Sequence, residues 1–162
     1  MPRFQIPALK TTIRPTAMSS SGATRMAVSC QAANSKRYRI AEIAVTDDDV
    51  YMLAVKGQDT AGLLNDLRAA GVTDQPIVCT QNGVDNERQA LRLFHNVYGI
   101  CVMLPADHLS PGVVRVWTAP NSGLLDIGRY PHGVDELSVQ LAATLEAATF
   151  GSVGRCEVCH LV

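Results

Sequence analysis

The chain has 162 residues, of which 47% are hydrophobic and 18% are charged, and its formal net charge is −1. This length and composition favour one domain with a globular core. No apolar run approaches the roughly 18 residues of a membrane-spanning helix, and the N-terminus lacks the apolar stretch of a secretory signal. Five cysteines without a framework spacing are typical of free thiols in a reducing compartment. We therefore expect a cytoplasmic protein without a membrane partner.

The first 41 residues differ in composition from the rest. They contain seven basic and no acidic residues, whereas residues 42–162 contain seven basic and 15 acidic residues. Prolines and a Ser-Gly run interrupt any helix, so we predict a basic, irregular tail (1–41) before one domain (42–162). The tail is a disordered or artefactual segment, or an organellar transit peptide, which would change the localisation. Nucleic-acid binding is disfavoured because no aromatic residues alternate with the dispersed charges.

A βαβ unit begins the predicted domain. The apolar run Val50–Val55 is typical of a central parallel strand that is covered on both faces. Leucines at helical spacing predict a helix over Thr60–Ala70. Asp59, or the first residue of that helix, is expected to cap it, and Gly71 to end it. A second apolar strand over Gln75–Thr80 completes the unit.

The other elements continue the alternation of strands and helices, which predicts an α/β fold with a Rossmann-type parallel sheet. Glu87 is expected in the first turn of its helix, where the macrodipole favours an acid. Before the βαβ unit we predict a short strand at Tyr38–Val45 and a solvated acidic turn at Thr46–Asp49, which is preferred to a metal cluster. After the unit we predict a helix capped by Asp85 and reaching about Phe94, a strand at Tyr98–Leu104 and a loop at 105–112. Two joined strands at Val113–Thr118 and Gly123–Gly128, a helix at Gly133–Thr149 and a strand starting at Ser152 follow.

Polar side chains follow both strands of the βαβ unit. Ligands of open α/β sheets bind beyond the carboxyl ends of the strands, so Lys56 and Asn82 are expected to face one crevice. The Lys56 cation suits a phosphate or carboxylate, although from the residues alone a surface lysine that caps strand carbonyls is the favoured explanation. Asn82 precedes Gly83 and is either a turn residue or an amide that offers a ligand one donor and one acceptor. Gln81 is a weaker candidate.

Three segments together carry a resemblance. AVKGQDT, TQNGVDNE and LPADHLSPGVV, in this order, resemble the N-terminal domain of ketopantoate reductase (2-dehydropantoate 2-reductase) over roughly residues 47–152. The resemblance implies NADPH-dependent reduction of a 2-keto acid to a 2-hydroxy acid in pantothenate and coenzyme A biosynthesis. It also implies that Lys56 and Asn82 contact NADP, that Asn82 contacts the substrate as well, and that the Ala106 backbone approaches the nicotinamide.

Two features of the family are missing from these residues. No G-x-G-x-x-G turn occurs, and no lysine follows Lys56, so the general acid of the family's helical C-terminal domain has no counterpart. We therefore expect a partial Rossmann-type domain, without that helical domain, that is weakly active or inactive. The alternative is a non-catalytic fragment or pseudoenzyme whose exposed apolar faces are covered by a second copy or another chain.

Two other motifs have ordinary explanations. His108 is interpreted as a surface residue in preference to a catalytic base. The sequence from Cys156 to His160 has the C-x-x-C-H spacing of haem attachment, but a redox pair, a metal site and chance spacing are alternatives. Chance spacing is favoured because no further ligand is evident, and no metal is predicted.

Overall fold

A computed structural model describes residues 11–13, 40, 45–110, 113–118, 121–148 and 150–156. Its strands are β1 (Thr11–Ile13), β2 (Val50–Leu53), β3 (Ile77–Cys79), β4 (Val97–Met103), β5 (Ala106–Ser110), β6 (Val113–Val116) and β7 (Leu124–Arg129). Its α-helices are α1 (Thr60–Ala69), α2 (Asn86–Leu91) and α3 (Glu136–Ala147). None of the helices in this described part of the chain is long and apolar enough to cross a bilayer.

The main sheet has five strands in the order β1-β2-β3-β4-β7. Its centre is parallel, because α1 and α2 carry the chain from β2 to β3 and from β3 to β4. The edge strands β1 and β7 run antiparallel to β2 and β4. The predicted α/β fold with a mostly parallel, Rossmann-type sheet is confirmed.

Helices cover both faces of this sheet. Alternate strand residues point to opposite faces, so the short apolar strands supply two separate cores. The core under α1 and α2 contains Tyr51, Leu53, Leu64, Leu67, Val72, Ile77, Cys79, Ala90, Phe94 and Val97. The core under α3 contains Val50, Val78, Tyr98, Ile100, Ile127, Leu141, Ala142 and Leu145.

The βαβ unit ends its helix as predicted but begins it differently. Gly71 has a φ of +94°, and the amides of Gly71 and Val72 donate to the carbonyls of Arg68 and Leu67, which is a Schellman motif. Asp59 does not cap α1 with its side chain. It lies in a 3₁₀ turn with helical φ and ψ, where its carboxylate cannot accept from the first helical turn.

The second helix and the loop after β4 depart further from expectation. The Asp85 side chain does not cap α2, which ends at Leu91, three residues before the predicted end at Phe94. Residues 106–110 were expected in a loop and instead form β5, which pairs with β6 in a separate two-stranded sheet. The expected pairing of β6 with β7 is therefore wrong, since β7 pairs with β4 over six residues.

The N-terminal segments also differ from expectation. Within the predicted irregular tail, β1 pairs with β2. The predicted strand at 38–45 lies outside the described residues except for Ile40 and Val45, neither of which is in a strand. In the acidic turn Asp49 is fully buried, and its carboxylate accepts from the Thr46 amide at 2.9 Å. Among the described residues no group of acids, cysteines or histidines is arranged to hold a metal.

The predicted strand at Ser152 forms only in part. Gly151 and Gly154 make parallel bridges to Leu124 and Ile127, on the free edge of β7. The buried Asp126 carboxylate pairs with the Arg155 guanidinium and accepts from the Val153 amide. This ion pair fixes the segment beside the sheet.

The third helix begins with a complete capping box. The Asp135 carboxylate accepts from the Ser138 amide at 2.9 Å, and the Ser138 hydroxyl accepts from the Asp135 amide at 2.9 Å. This box starts the helix at Glu136, three residues after the predicted start. Asp135 also accepts from the Tyr98 hydroxyl at 2.7 Å and from Arg129 at 3.0 Å.

These contacts govern the ionisation of the cluster. Burial acts to raise the pKa of Asp135, but the hydrogen bonds from Ser138, Tyr98 and Arg129 outweigh it and lower the pKa overall. Burial, with Asp135 adding to it, raises the pKa of Tyr98 to about 12. Asp135 therefore stays charged and Tyr98 neutral around pH 7, so the cluster remains a donor-to-carboxylate network.

Replacement of the cap should destabilise the domain. Asp135→Ala removes the cap of α3 and the acceptor of Tyr98 and Arg129, so we expect the free energy of unfolding to fall by about 1–2 kcal/mol. Urea unfolding followed by circular dichroism measures the change. Glu146→Ala, an exposed acid in the last turn of α3, is the control and should change stability by less than about 0.5 kcal/mol. Equal effects of the two variants would contradict the capping role.

Candidate functional site

The three sequence-predicted contact residues follow the three central strands. Lys56, Asn82 and Ala106 each lie three residues after the last residue of β2, β3 and β4. Because these strands are parallel neighbours, all three loops leave the same edge of the sheet. The expectation that Lys56 and Asn82 share one edge agrees with this geometry.

Strand register decides how the three loops are staggered. Leu53, the end of β2, pairs with Cys79, the end of β3, so the Lys56 and Asn82 loops start at one level. Cys79 pairs with Gly99, and β4 continues four residues beyond, to Met103. At about 3.3 Å per residue, the loop of Ala106 starts roughly 13 Å farther along the strand direction. The structure therefore starts the Lys56 and Asn82 loops at the same level on adjacent strands, and the Ala106 loop farther along.

The Lys56 side chain is available to a ligand. The residue is exposed, and it forms no ion pair with the part of the chain that the structure describes. Its backbone is extended, and its carbonyl accepts from the Asp59 amide at 2.8 Å, closing the 3₁₀ turn Gly57–Asp59. The turn fixes the backbone of Lys56, and the ammonium group has no ion-pair partner among the described residues.

The Asn82 side chain is also exposed, in a turn whose next residue, Gly83, has a φ of +95°. Only glycine adopts that conformation readily. The Asn82 carbonyl accepts from the Asn86 side-chain amide at 3.4 Å. The Asn-Gly pair is therefore a turn, as its composition indicates, and the turn presents the Asn82 amide outward.

Ala106 opens the two-stranded sheet. Its amide donates to the Leu104 carbonyl at 2.9 Å, and the neighbouring Pro105 carbonyl accepts from the Trp117 amide at 3.0 Å. Ala106 and Trp117 are both exposed, Trp117 by 69%. The only tryptophan of the chain is thus next to the Ala106 backbone, where it can report binding.

Beneath the two neighbouring loops lies a buried polar group that sequence reasoning did not identify. The Thr60 hydroxyl donates to Asn86 Oδ1 at 2.9 Å and accepts from Gln81 Nε2 at 3.1 Å. Thr60 and Asn86 are 0% and 5% exposed. We call Thr60, Gln81 and Asn86 the Thr60 network. A polar residue at the start of each of two consecutive βα helices was the available signal, but it also describes ordinary capping.

The remaining candidates are described only in part. His108 lies in β5, and its side chain is outside the described part of the structure. Cys156 is an exposed free thiol, whereas Cys159 and His160 are outside the described residues. The C-x-x-C-H motif therefore stays untested.

Residues 11–132 match the family model described as ketopantoate reductase PanE/ApbA. The chain belongs to the ketopantoate reductase family. No curated protein gave a significant sequence match.

Solved structures of the family share this fold. A 2-dehydropantoate 2-reductase from Methylococcus capsulatus is 30% identical over 74% of this chain and 38% of its own, with a TM-score of 0.59. A ketopantoate reductase from Ralstonia eutropha JMP134 is 24% identical over 72% of this chain and 36% of its own, with a TM-score of 0.55. The chain thus spans little more than a third of these ketopantoate reductases.

The same fold occurs in a dehydrogenase that is named for another substrate. A D-mandelate dehydrogenase solved with NADH superimposes with a TM-score of 0.55 at 19% identity, over 66% of this chain and 35% of its own. At that identity the likeness concerns the fold alone.

One acid of this domain is buried against expectation. Glu87, predicted to be a favourable helix-start acid, is 5% exposed, and its Oε2 has no hydrogen-bond partner among the described residues. A side chain on Gly99 would approach Glu87 Oε1 to 3.2 Å, so glycine makes room for the carboxyl on β4. Burial raises the pKa of Glu87, its backbone hydrogen bond opposes the shift, and Asp85 adds to it. Burial and then Glu87 also raise the pKa of Cys79 on β3.

The Glu87 shift predicts a pH dependence of stability. The pKa of Glu87 in the folded state lies above its ordinary value of 4.5. The stabilisation that comes from the protonated Glu87 is therefore complete below pH 4.5 and is lost as the pH rises through the folded-state pKa. Glu87→Gln is neutral at every pH, and its stability relative to the natural chain should increase as pH rises. Urea unfolding of both from pH 4.5 to 8 measures the difference, with Glu146→Gln as the exposed control. Parallel curves would show that the pKa of Glu87 is the same in the folded and the unfolded chain.

Proposed function

We propose that this domain binds a nicotinamide dinucleotide at the carboxyl edge of β2, β3 and β4, and serves the reduction of a 2-keto acid of the ketopantoate type by NADPH. The observation that carries the proposal is that the adjacent parallel strands β2 and β3 end at the same level, and that each is followed by an exposed polar side chain, Lys56 and Asn82. Family membership supports the reaction class. A bound dinucleotide supplies the hydride, and the chain supplies binding and orientation.

The residues at this edge suit an anionic cofactor. The Lys56 ammonium has three donors and no ion-pair partner among the described residues, so binding a phosphate or carboxylate costs it no existing contact. Its position at the edge of a parallel sheet is where such ligands bind. We assign Lys56 to the cofactor phosphates.

Asn82 suits a position between cofactor and substrate. Its amide offers one acceptor and two donors, which can contact an amide or hydroxyl on one side and a keto-acid oxygen on the other. Orientation of the two reactants is the main contribution that such a residue makes to hydride transfer. We assign Asn82 to the cofactor and the substrate, and the Ala106 backbone to the nicotinamide end.

The 162 residues by themselves are proposed to turn over slowly. Reduction of a ketone requires a proton for the developing alkoxide, and Lys56, the last lysine of the sequence, is assigned to cofactor binding. A glycine-rich turn of the G-x-G-x-x-G type is also missing from these residues. NADPH oxidation with ketopantoate at ordinary enzyme rates, roughly 1–10³ per second, would contradict this part of the proposal.

Binding of NADPH tests the proposed site directly. The purified chain is titrated with NADPH and with NADH, and binding is followed by quenching of Trp117. We expect saturable binding that Lys56→Ala weakens about tenfold, the loss expected for one charged hydrogen bond. The affinity should also fall with added salt, because the contact is an exposed ion pair.

Matched controls separate the site from the general surface. Arg92→Ala removes an exposed cation just after α2, and Asn65→Ala removes an exposed amide on α1. Neither should change NADPH affinity, whereas Asn82→Ala should weaken it. A chain that is folded by circular dichroism and binds neither dinucleotide would overturn the proposal. It would favour the alternative of a domain that acts by binding another chain.

A further inference from the structure

The Thr60 network connects segments that are far apart in sequence. Thr60 begins α1, Asn86 begins α2, and Gln81 lies between β3 and α2. The two hydrogen bonds of the Thr60 hydroxyl therefore join the loop after β2 to the loop after β3. These are the two loops that carry Lys56 and Asn82.

The numbers of donors and acceptors determine the direction of every hydrogen bond in the Thr60 network. A hydroxyl has a single proton, and the Thr60 proton goes to Asn86 Oδ1. Gln81 must then approach Thr60 with its NH₂ group, and Asn86 is left with its own NH₂ group for the Asn82 carbonyl. The Asn82 carbonyl, which can only accept, thus sets the orientation of Asn86, and the Thr60 hydroxyl passes this constraint on to Gln81.

Asn86 is in contact with both loops. Its Nδ2 donates to the carbonyl of Asn82, and its Oδ1 lies 3.4 Å from where a side chain on Gly57 would begin. Gly57 directly follows Lys56. The Thr80 hydroxyl and amide add a second tie, since both donate to the Leu53 carbonyl, at 2.7 and 3.1 Å.

The network leaves one of its own atoms unsatisfied. Gln81 Oε1 is buried and has no hydrogen-bond partner among the described residues. A buried acceptor without a donor lowers stability.

We propose that Thr60 and Asn86 are positioning residues, which hold the Lys56 and Asn82 loops at the separation that the dinucleotide requires. This inference rests on the proposed function. Neither residue touches the ligand. Thr60 acts through its hydrogen bond to Asn86, and Asn86 acts on the backbone of Asn82 and on Gly57.

A hydroxyl deletion and its rescue test the inference. Thr60→Val keeps the shape of the side chain and removes the hydroxyl, whereas Thr60→Ser keeps the hydroxyl. In the full 162-residue chain we expect Thr60→Val to raise the Kd for NADPH about five- to tenfold, and Thr60→Ser to raise it less than about twofold. Thr144→Val, the same change on α3, is the control and should leave the Kd unchanged.

A double-mutant cycle separates positioning from general stability. If Thr60 acts through the Asn82 loop, Thr60→Val should weaken binding less in an Asn82→Ala background than in the natural chain. A purely structural loss would act equally in both backgrounds. Where Thr60→Val fails to fold, Asn86→Ser, which no longer reaches the Asn82 carbonyl, takes its place, with Asn65→Ser on α1 as control.

The outcomes distinguish the two proposals. If the natural chain binds NADPH, and the folded Thr60→Val and Asn86→Ser variants bind it equally well, the positioning role is wrong and the proposed function stands. If the natural chain is folded and binds no dinucleotide, both fall. Weaker binding with rescue by serine and non-additivity with Asn82→Ala establishes the positioning role.

Discussion

The parallel pairing of β2, β3 and β4 is the constraint on which the rest of the structure depends. Parallel neighbours require crossovers, so α1 and α2 must cover the sheet, and these three strands must end at one edge. The in-register ends of β2 and β3 bring the Lys56 and Asn82 loops to one level. The longer β4 carries Ala106 and the two-stranded sheet beyond that level, on one side of the edge.

Local sequence was sufficient for the features that depend on local contacts. The apolar runs of β2, β3 and β4 and the stop at Gly71 were predictable, because continuous burial and a positive φ each select residue types directly. The strand ends then located Lys56 and Asn82. The prediction that Lys56 and Asn82 lie at one edge of the sheet depended only on the prediction that β2 and β3 are parallel.

Features that depend on distant partners were not predictable. β5 is a short strand that exists through its pairing with β6, and nothing in the mixed polar and apolar residues 106–110 distinguishes it from a loop. Glu87 looks like a surface acid of a helix start, and its burial depends on the space that Gly99 leaves on β4. Thr60 looks like a cap, and its real partners lie 21 and 26 residues away.

Two clusters of buried polar groups near the ends of the sheet differ in how completely they are paired, although Asp49 Oδ1, just before β2, is also buried without a partner among the described residues. At the amino end of β4, Tyr98, Arg129 and Asp135 satisfy one another, and the result is a capped helix and a fixed strand end. At the carboxyl edge, Gln81 Oε1 and Glu87 Oε2 are buried without partners among the described residues. Unpaired buried atoms cost stability, so this edge is not arranged for stability alone. The same edge carries the exposed Lys56 and Asn82, so the side chains available to a ligand lie next to these buried polar groups.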